Sequence, residues 1–146
     1  MKYVVTGGAG FIGSNLVDEL IKNGHDVHII DNFSSGKKEN CNPKARIHFY
    51  DISKSKYLKK ISEIINGCDG VFHCAASARV QPSIAEPIKY EKNNTIGLIN
   101  ILKTAADLNV RRFIYSASSS AYGPTDKLPS IEEDSVNPIS PYASQK

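Results

Sequence analysis

The sequence of 146 residues lacks the features that are typical of several classes of protein, and these absences argue against those classes. It has three cysteines, Cys41, Cys68 and Cys74, and no Cys-x-x-Cys pair, so we expect neither a disulfide scaffold nor a zinc site. No apolar run approaches the roughly 20 residues that cross a bilayer. The segment after Met1 reaches its glycines too early for a signal peptide. We therefore expect a cytoplasmic protein with no membrane segment and no metal site.

The net charge is also small, because 15 Asp and Glu residues nearly balance 18 Lys and Arg residues. The densest basic run, which contains Lys54, Lys56, Lys59 and Lys60, fits a solvated helix face better than a nucleic-acid surface. The hydrophobic fraction of 40% and the charged fraction of 23% are those of a folded globular domain. We expect one domain and no nucleic-acid partner.

Short apolar runs alternate with helical patterns. Strand-like runs cover residues 2–6, 27–30, 47–50, 71–74 and 113–116. Helical spacing covers residues 11–23, 57–65 and 88–108, and the last of these has Ile96, Ile99, Leu102 and Ala106 on one face. Short apolar strands separated by helices form a parallel sheet that is covered on both faces. The predicted fold class is α/β, a Rossmann-like doubly wound parallel sheet.

The periodic pattern ends at Gly123. Four prolines, at positions 124, 129, 138 and 141, interrupt the segment that follows. A loop of about 18 residues is therefore predicted, and structureless loops of such length are usually functional. Tyr142 onward is expected to begin another helix.

A glycine-rich segment lies between the first predicted strand and the first predicted helix. Gly8, Gly10 and Gly13 fit G-x-G-x-x-G, and Gly7, Gly10 and Gly13 fit G-x-x-G-x-x-G. Either pattern lets the backbone approach a pyrophosphate at the helix N-terminus. Asp31 follows at the end of the second strand, where a carboxylate can accept from ribose hydroxyls. The sequence predicts a dinucleotide site.

Together with this loop, further segments resemble the extended short-chain dehydrogenase/reductases, in their sugar-nucleotide epimerase/dehydratase branch. Residues 116–123, Ser-Ala-Ser-Ser-Ser-Ala-Tyr-Gly, are similar to the active-site segment of the family's fifth strand. Tyr142 and Lys146 match its YxxxK pair. Because members of the family are about twice as long, the resemblance implies that residues 1–146 are an incomplete NAD-binding Rossmann domain. The fold would be truncated after the fifth strand and the start of the next helix, without the C-terminal substrate-binding domain.

The resemblance also implies NAD as cofactor and a set of site residues. The implied cofactor-binding residues are Gly7, Gly10, Phe11, Ile12, Gly13, Asp31, Asn32, Ser35, Gly36, Asp51, Ile52, Cys74, Ala75, Ala76, Asn94, Ser116, Tyr142 and Lys146. In the implied catalytic set, Tyr142 is the base, Lys146 favours its phenolate and holds the nicotinamide ribose, and Ser118 orients the reacting hydroxyl. His73 is expected to be a packed histidine, and Asn94 to tie backbone together near the site.

The implied activity is NAD-dependent 4-epimerisation of a nucleotide-activated hexose, with the likeness greatest to epimerases of UDP-glucose and UDP-N-acetylglucosamine. The sugar would pass through a 4-keto intermediate, and the full-length form would be a homodimer with a UDP-linked substrate. Dehydratases of the family carry Asp-Glu where this sequence has Ser119 and Ser120, which favours an epimerase. A 4,6-dehydratase, a reductase and a catalytically silent dinucleotide-binding module are the alternatives.

Asp31 favours NAD over NADP, because the extra 2′-phosphate of NADP would lie beside its carboxylate. Lys37 and Lys38 follow closely and would oppose this preference.

Overall fold

The computed structural model describes residues 1–125 and 128–146 and contains a five-stranded sheet. Its strands are β1 (Lys2–Thr6), β2 (Asp26–Asp31), β3 (Arg46–Phe49), β4 (Gly70–His73) and β5 (Arg112–Tyr115). They lie in the order β3-β2-β1-β4-β5, and every neighbouring pair is parallel. The predicted Rossmann-like α/β class is therefore confirmed.

The helices of the described residues are α1 (Phe11–Lys22), α2 (Leu58–Ile65), α3 (Val80–Ala85), α4 (Pro87–Glu91), α5 (Gly97–Asp107) and α6 (Pro141–Ser144). A π-helical turn, Lys92–Ile96, joins α4 to α5, so the helix predicted over residues 88–108 consists of three segments. Short 3₁₀ turns cover Lys38–Asn40, Ser55–Tyr57 and Ser119–Tyr122. None of these helices is long and apolar enough to cross a bilayer.

Two apolar layers cover the sheet, because successive residues of a strand point to opposite faces. On one face Val4 of β1 lies in a buried cluster with Ile61 of α2 and Ile101 of α5. On the other face Val5 clusters with Val17 of α1. The sheet is thus covered on both sides, as a doubly wound fold requires.

The apolar stripe that the sequence places on α5 is not the buried one. Ile96, Ile99 and Leu102 are 42%, 52% and 46% exposed. The face that meets the sheet instead carries Gly97 and Ile101, together with Ala105. Gly97 lets α5 approach the turn after β3 closely, because a Cβ added at position 97 would lie 3.0 Å from the side chain of Ile52.

The described part of the segment between Gly123 and α6 contains no helix or strand, as predicted for a loop. Residues 126 and 127, which belong to the predicted loop, lie outside the described residues. The Asn137 backbone N–H donates to the Ala121 carbonyl at 3.0 Å, which ties this segment to the turn that follows β5. The last helix begins at Pro141, one residue before the predicted start.

Candidate functional site

The glycine turn that follows β1 has no room for side chains. Gly7 has a φ of +70°, and a Cβ at this position would lie 2.6 Å from the backbone nitrogen of Ala75 at the end of β4. A Cβ at Gly13 would lie 2.2 Å from the carbonyl oxygen of Gly7. The turn is therefore packed against β4 on one side and α1 on the other, and both contacts require glycine.

Of the two glycine patterns, the structure favours the one that starts at Gly7. Gly7 and Gly10 line a cleft at the carboxyl ends of the strands. Gly8 faces the sheet, where an added Cβ would lie 2.8 Å from side-chain carbons of Ile29. Gly8 thus serves packing, whereas Gly7 and Gly10 border the space that a pyrophosphate would fill.

The carboxylate of Asp31 braces the glycine turn. Asp31 is 8% exposed, its Oδ2 accepts from the Ala9 N–H at 3.0 Å, and its Oδ1 accepts from the Phe33 N–H at 2.7 Å. Each carboxylate oxygen has a second lone pair, so both can still accept from a ribose hydroxyl. The bracing role was missed from the sequence, because it depends on a contact across 22 residues.

Most of the predicted cofactor residues line the cleft. They are Gly7, Gly10, Asp31, Asn32, Ser35, Gly36, Asp51, Ile52, Cys74, Ala75 and Ala76. The cleft also includes residues that sequence reasoning missed, namely Ile30, Ser34, Tyr50, Ser77 and Asn93. Four of these five are chain neighbours of predicted residues at the strand ends, and Asn93 precedes the predicted Asn94.

Other predicted cofactor residues lie outside the cleft lining. Phe11 and Ile12, in the first turn of α1, are 85% and 62% exposed, and Gly13 is buried behind them. Ser116, Tyr142 and Lys146 lie at the end of β5 and around α6. Their contact with the cofactor stays a prediction.

Asn94 is buried, with 2% exposure, and ties two parts of the site together. Its Oδ1 accepts from the Ser77 N–H at 2.7 Å, and its Nδ2 donates to the Ser77 carbonyl at 3.1 Å. The same Nδ2 donates to the Gln145 side chain at 3.2 Å. The residue joins the loop after β4 to the segment that carries Lys146, which is the tying role expected from the sequence.

Lys146 lies just beyond α6 with its ammonium held in place. Its Nζ donates to the carbonyl oxygen of Ser116 and lies 4.6 Å from the ring centroid of Tyr115. Burial lowers the pKa of Lys146, and nearby Cys74 opposes this shift. The Tyr115 hydroxyl donates to the Gln145 carbonyl at 3.0 Å, so the side chains of Tyr115 and Lys146 join the end of β5 to the residues that follow α6.

Ser118 and Tyr142 reach the same end of the sheet from different elements. The Ser118 Oγ accepts from the Ser120 N–H at 3.2 Å and caps the 3₁₀ turn Ser119–Tyr122, which packs against α6. Within the described residues, no hydrogen bond joins Ser118, Tyr142 and Lys146 to one another. The structure brings the three to one region, and their chemical roles stay predictions.

His73 is a packed residue, as expected. It is 1% exposed, and its Nδ1 lies 3.0 Å from the Thr6 hydroxyl. Burial lowers its pKa to about 4, and the Lys146 charge adds to the shift. The imidazole is therefore neutral near pH 7 and is poorly suited to bind an anion.

No group of three His, Cys, Asp or Glu residues in the described ranges is placed to hold a metal ion. The three cysteines are free thiols.

A parallel sheet of this order, with a glycine turn opening onto an acid at the end of the second strand, defines the dinucleotide-binding class of Rossmann folds. The crowded turn and the remaining lone pairs of Asp31 fit such a cofactor. Residues 3–146 match the sequence model of the NAD dependent epimerase/dehydratase family, and the chain belongs to this family. Its cofactor is accordingly NAD.

Known proteins of this type resemble the chain throughout its length. The UDP-glucose 4-epimerase of Lactobacillus helveticus is 40% identical over 146 residues, which are 100% of this chain and 44% of that protein. The Thermotoga maritima UDP-glucose 4-epimerase, solved with UDP-glucose, has a TM-score of 0.93 and 41% identity over 100% of this chain and 48% of that one.

The Thermus thermophilus UDP-glucose 4-epimerase, solved in complex with NAD, has a TM-score of 0.90 and 32% identity. The matched region includes 100% of this chain and 47% of the Thermus thermophilus enzyme. The chain thus spans about half the length of the relatives it matches.

Proposed function

We propose that the whole protein catalyses NAD-dependent 4-epimerisation of a UDP-linked hexose. The observation that supports this most is the arrangement of α6 and β5 beside the dinucleotide cleft. Lys146 is anchored to the Ser116 carbonyl, and Tyr142 lies four residues earlier on the segment that packs against the turn after Ser118. Residues with a phenol, an ammonium and a hydroxyl thus lie in one region at the carboxyl end of the sheet, where ligands of open α/β sheets bind.

Oxidation of a sugar alcohol at C4 requires that its hydroxyl proton leave as the hydride leaves. A phenol is ordinarily a weak base near neutral pH, so a positive charge is needed to favour the phenolate. Lys146 is a suitable charge, because the Ser116 carbonyl and the Tyr115 ring hold it in place. In this proposal Lys146 also binds the nicotinamide ribose.

Each residue then has a defined task. NAD, when bound, supplies the hydride acceptor and donor that oxidation and reduction at C4 need. Tyr142 removes the proton of the C4 hydroxyl and returns it to the 4-keto sugar after the sugar has rotated. Ser118 holds the reacting hydroxyl, and so keeps the carbon within reach of the cofactor. The turn after Ser118 contains Ser119 and Ser120 rather than an acidic pair, which favours epimerisation over dehydration.

The decisive experiment uses the longest natural chain that contains these residues. The NAD-loaded protein is incubated with UDP-glucose and with UDP-N-acetylglucosamine, and products are identified by NMR. We expect the C4 epimer of at least one substrate. A 4-keto-6-deoxy sugar would instead indicate a dehydratase. No turnover of either sugar by a protein that binds NAD would favour the silent dinucleotide-binding module.

We also propose that the longer protein is a homodimer and that the exposed stripe of Ile96, Ile99 and Leu102 forms its interface. Apolar side chains grouped on one face of a helix are typical of interaction surfaces. Leu102→Glu is expected to convert the dimer into a monomer in light scattering after size exclusion. Lys59→Glu, on the exposed side of α2, is the matched control and is expected to leave the mass unchanged. A monomeric unsubstituted protein would contradict the proposal.

A further inference from the structure

Ser83 of α3 is a fully buried polar residue that the proposed chemistry does not use. Its exposure is 0%, and its hydroxyl donates to the Val80 carbonyl oxygen at 2.6 Å. The Ser83 Oγ also accepts from the backbone N–H of Tyr142 at 3.1 Å, across 59 residues of sequence. The hydroxyl therefore acts once as donor and once as acceptor, and it links α3 to α6.

α6 supplies no partner of its own for this N–H. Its first residue, Pro141, has no N–H to be satisfied. The Ala143 N–H donates to the Ser140 Oγ at 3.1 Å, and the Ser144 N–H donates to the Ser140 carbonyl at 3.0 Å. In this first turn, which the structure describes completely, the Tyr142 N–H is thus the donor whose partner comes from another element.

The segment that leads into α3 is itself held in place beside the cleft. The Ser77 Oγ accepts from the Asn93 side chain at 2.8 Å, and the Ser77 backbone is bonded on both sides to Asn94. The Tyr90 hydroxyl donates to the Ala78 carbonyl at 2.5 Å. Because Ser77 lines the cleft, Ser83 is connected through a few fixed residues to the cofactor side of the site.

We infer that Ser83 is a positioning residue, whose hydroxyl sets the place of Tyr142 relative to the cofactor cleft. The inference rests on the proposed role of Tyr142 as the base. An error of about 1 Å in a reacting group can cost roughly a hundredfold in rate, so one lost anchor of a four-residue helix is expected to reduce turnover. Ground-state binding depends on other residues and should change little.

The test compares Ser83→Ala with Ser144→Ala in the longest natural chain. Ser144 is the matched control, because its exposed hydroxyl is on the same helix but bonds only to the Ser140 carbonyl, at 3.2 Å. For Ser83→Ala we expect kcat to fall about tenfold, with KM and NAD affinity within about twofold of the unsubstituted values. Ser144→Ala should leave all three unchanged. Amide exchange at Tyr142 should accelerate in Ser83→Ala and not in the control.

The Tyr142→Phe background separates positioning from a general structural role. Removing an anchor cannot misplace a base that is already gone, so Ser83→Ala is expected to cause no further loss there. An equal loss in both backgrounds, or a parallel fall in kcat and NAD affinity, would overturn the inference. If Ser83→Ala does not fold, Ser83→Cys decides the question: its weakly accepting sulfur should give a smaller fall in kcat with KM unchanged, and an unchanged kcat would count against the role.

The two hypotheses fail in different ways. If Tyr142→Phe retains turnover, the proposed base is wrong. If Tyr142→Phe is inactive while Ser83→Ala turns over normally, the base stands and the positioning role of Ser83 alone is wrong.

Discussion

The cleft and the segment around α6, which carries the proposed base Tyr142, are built in different ways. The cleft is framed by backbone, as where the Gly7 N–H donates to the Ile30 carbonyl at 2.9 Å and the Lys37 N–H to the Ala9 carbonyl at 3.1 Å. The segment around α6 is a four-residue helix that is held by single side chains from distant elements, such as Ser83. Backbone hydrogen bonds do not depend on side-chain identity, so we expect the cleft to be sensitive mainly at its crowded glycines and at Asp31. A segment held by individual side chains is sensitive to the loss of each of them.

We expect the largest difference between the cleft and the segment around α6 when the 146-residue chain is tested by itself. The cleft residues from Gly7 to Ser77 are supplied by neighbouring strand ends, so we expect NAD binding in calorimetry. We expect no epimerisation of UDP-glucose, because the 146 residues correspond to about half the length of the UDP-glucose 4-epimerases that they match. Measurable epimerisation would contradict this prediction, and loss of NAD binding would show that the cleft does not form independently.

In the longest natural chain, Tyr142→Phe should reduce turnover roughly a thousandfold, the usual range for a general base. The substitution removes one oxygen and keeps the ring, so NAD affinity should hardly change. Lys146→Met is the informative companion, since loss of the ammonium should lower both turnover and NAD affinity. A fall of less than tenfold for Tyr142→Phe would show that another group is the base.

Gly13→Ala should weaken NAD binding by more than about a hundredfold, since its Cβ would lie 2.2 Å from the Gly7 carbonyl and push the turn apart. Gly24→Ala is the matched control. Gly24 has a φ of +78° but no atom within 4 Å of an added Cβ, so that change strains the backbone locally and leaves the cleft intact. Titration with NAD measures both, and equal affinities in the two variants would refute the crowding argument.

Asp31→Asn should lower NAD affinity roughly ten- to a hundredfold, because hydrogen bonds to a charged acceptor are lost. Affinity for NADP should fall less, since the substitution removes the repulsion of the 2′-phosphate. Asp26→Asn, at the other end of β2, is expected to leave both affinities unchanged. Tighter binding of NADP than of NAD by the unsubstituted protein would show that Lys37 and Lys38 outweigh the carboxylate.

The smallest expected effect is a pH dependence of folding stability due to His73. Its pKa is about 4 in the folded protein against about 6.5 when unfolded, so the unfolded chain binds more protons below pH 6.5. Stability should therefore fall as the pH drops from 6.5 towards 4, by about 1 kcal/mol between pH 7 and pH 5.5.

His73→Asn, which retains a polar partner for Thr6, should remove this part of the dependence in urea denaturation. His28 and His48, whose pKa values burial also lowers, contribute equally to both proteins and cancel in the comparison. Equal slopes of stability against pH in the two proteins would contradict the assignment.

The sequence predicts the strands well, because a buried parallel strand is a short apolar run wherever it occurs. The second strand, expected over residues 27–30, extends over Asp26–Asp31, and the third, fourth and fifth strands each begin and end one residue earlier than expected. Gly7 and Gly10 of the glycine turn and the predicted residues at the ends of β2, β3 and β4 line the cleft, since these motifs are local, and their contact with the cofactor stays a prediction.

Features that depend on distant contacts could not be predicted. α3 contains Pro82 and has no repeating apolar pattern, so its helix is supported by contacts with α6 rather than by propensity. The stripe of Ile96, Ile99 and Leu102 is more apolar than the buried one, but Ile101 and Ala105 join the core cluster and Gly97 packs closely against Ile52. Ser83 and Tyr115 gave no signal, because their partners lie 59 and 30 residues away.

The π-helical turn changes the direction in which the side chains of α4 point relative to those of α5. The Gly97 N–H donates to the Lys92 carbonyl, one residue further back than in an α-helix, so this turn holds one additional residue. Deleting Thr95 would restore regular winding and rotate α4 relative to α5 by about a quarter of a turn. Ile101 would stay in the core cluster, while the Tyr90 hydroxyl would lose its hydrogen bond to the Ala78 carbonyl. The additional residue in the π-helical turn thus lets α5 face the hydrophobic core while α4, on the same continuous helix, faces the loop after β4.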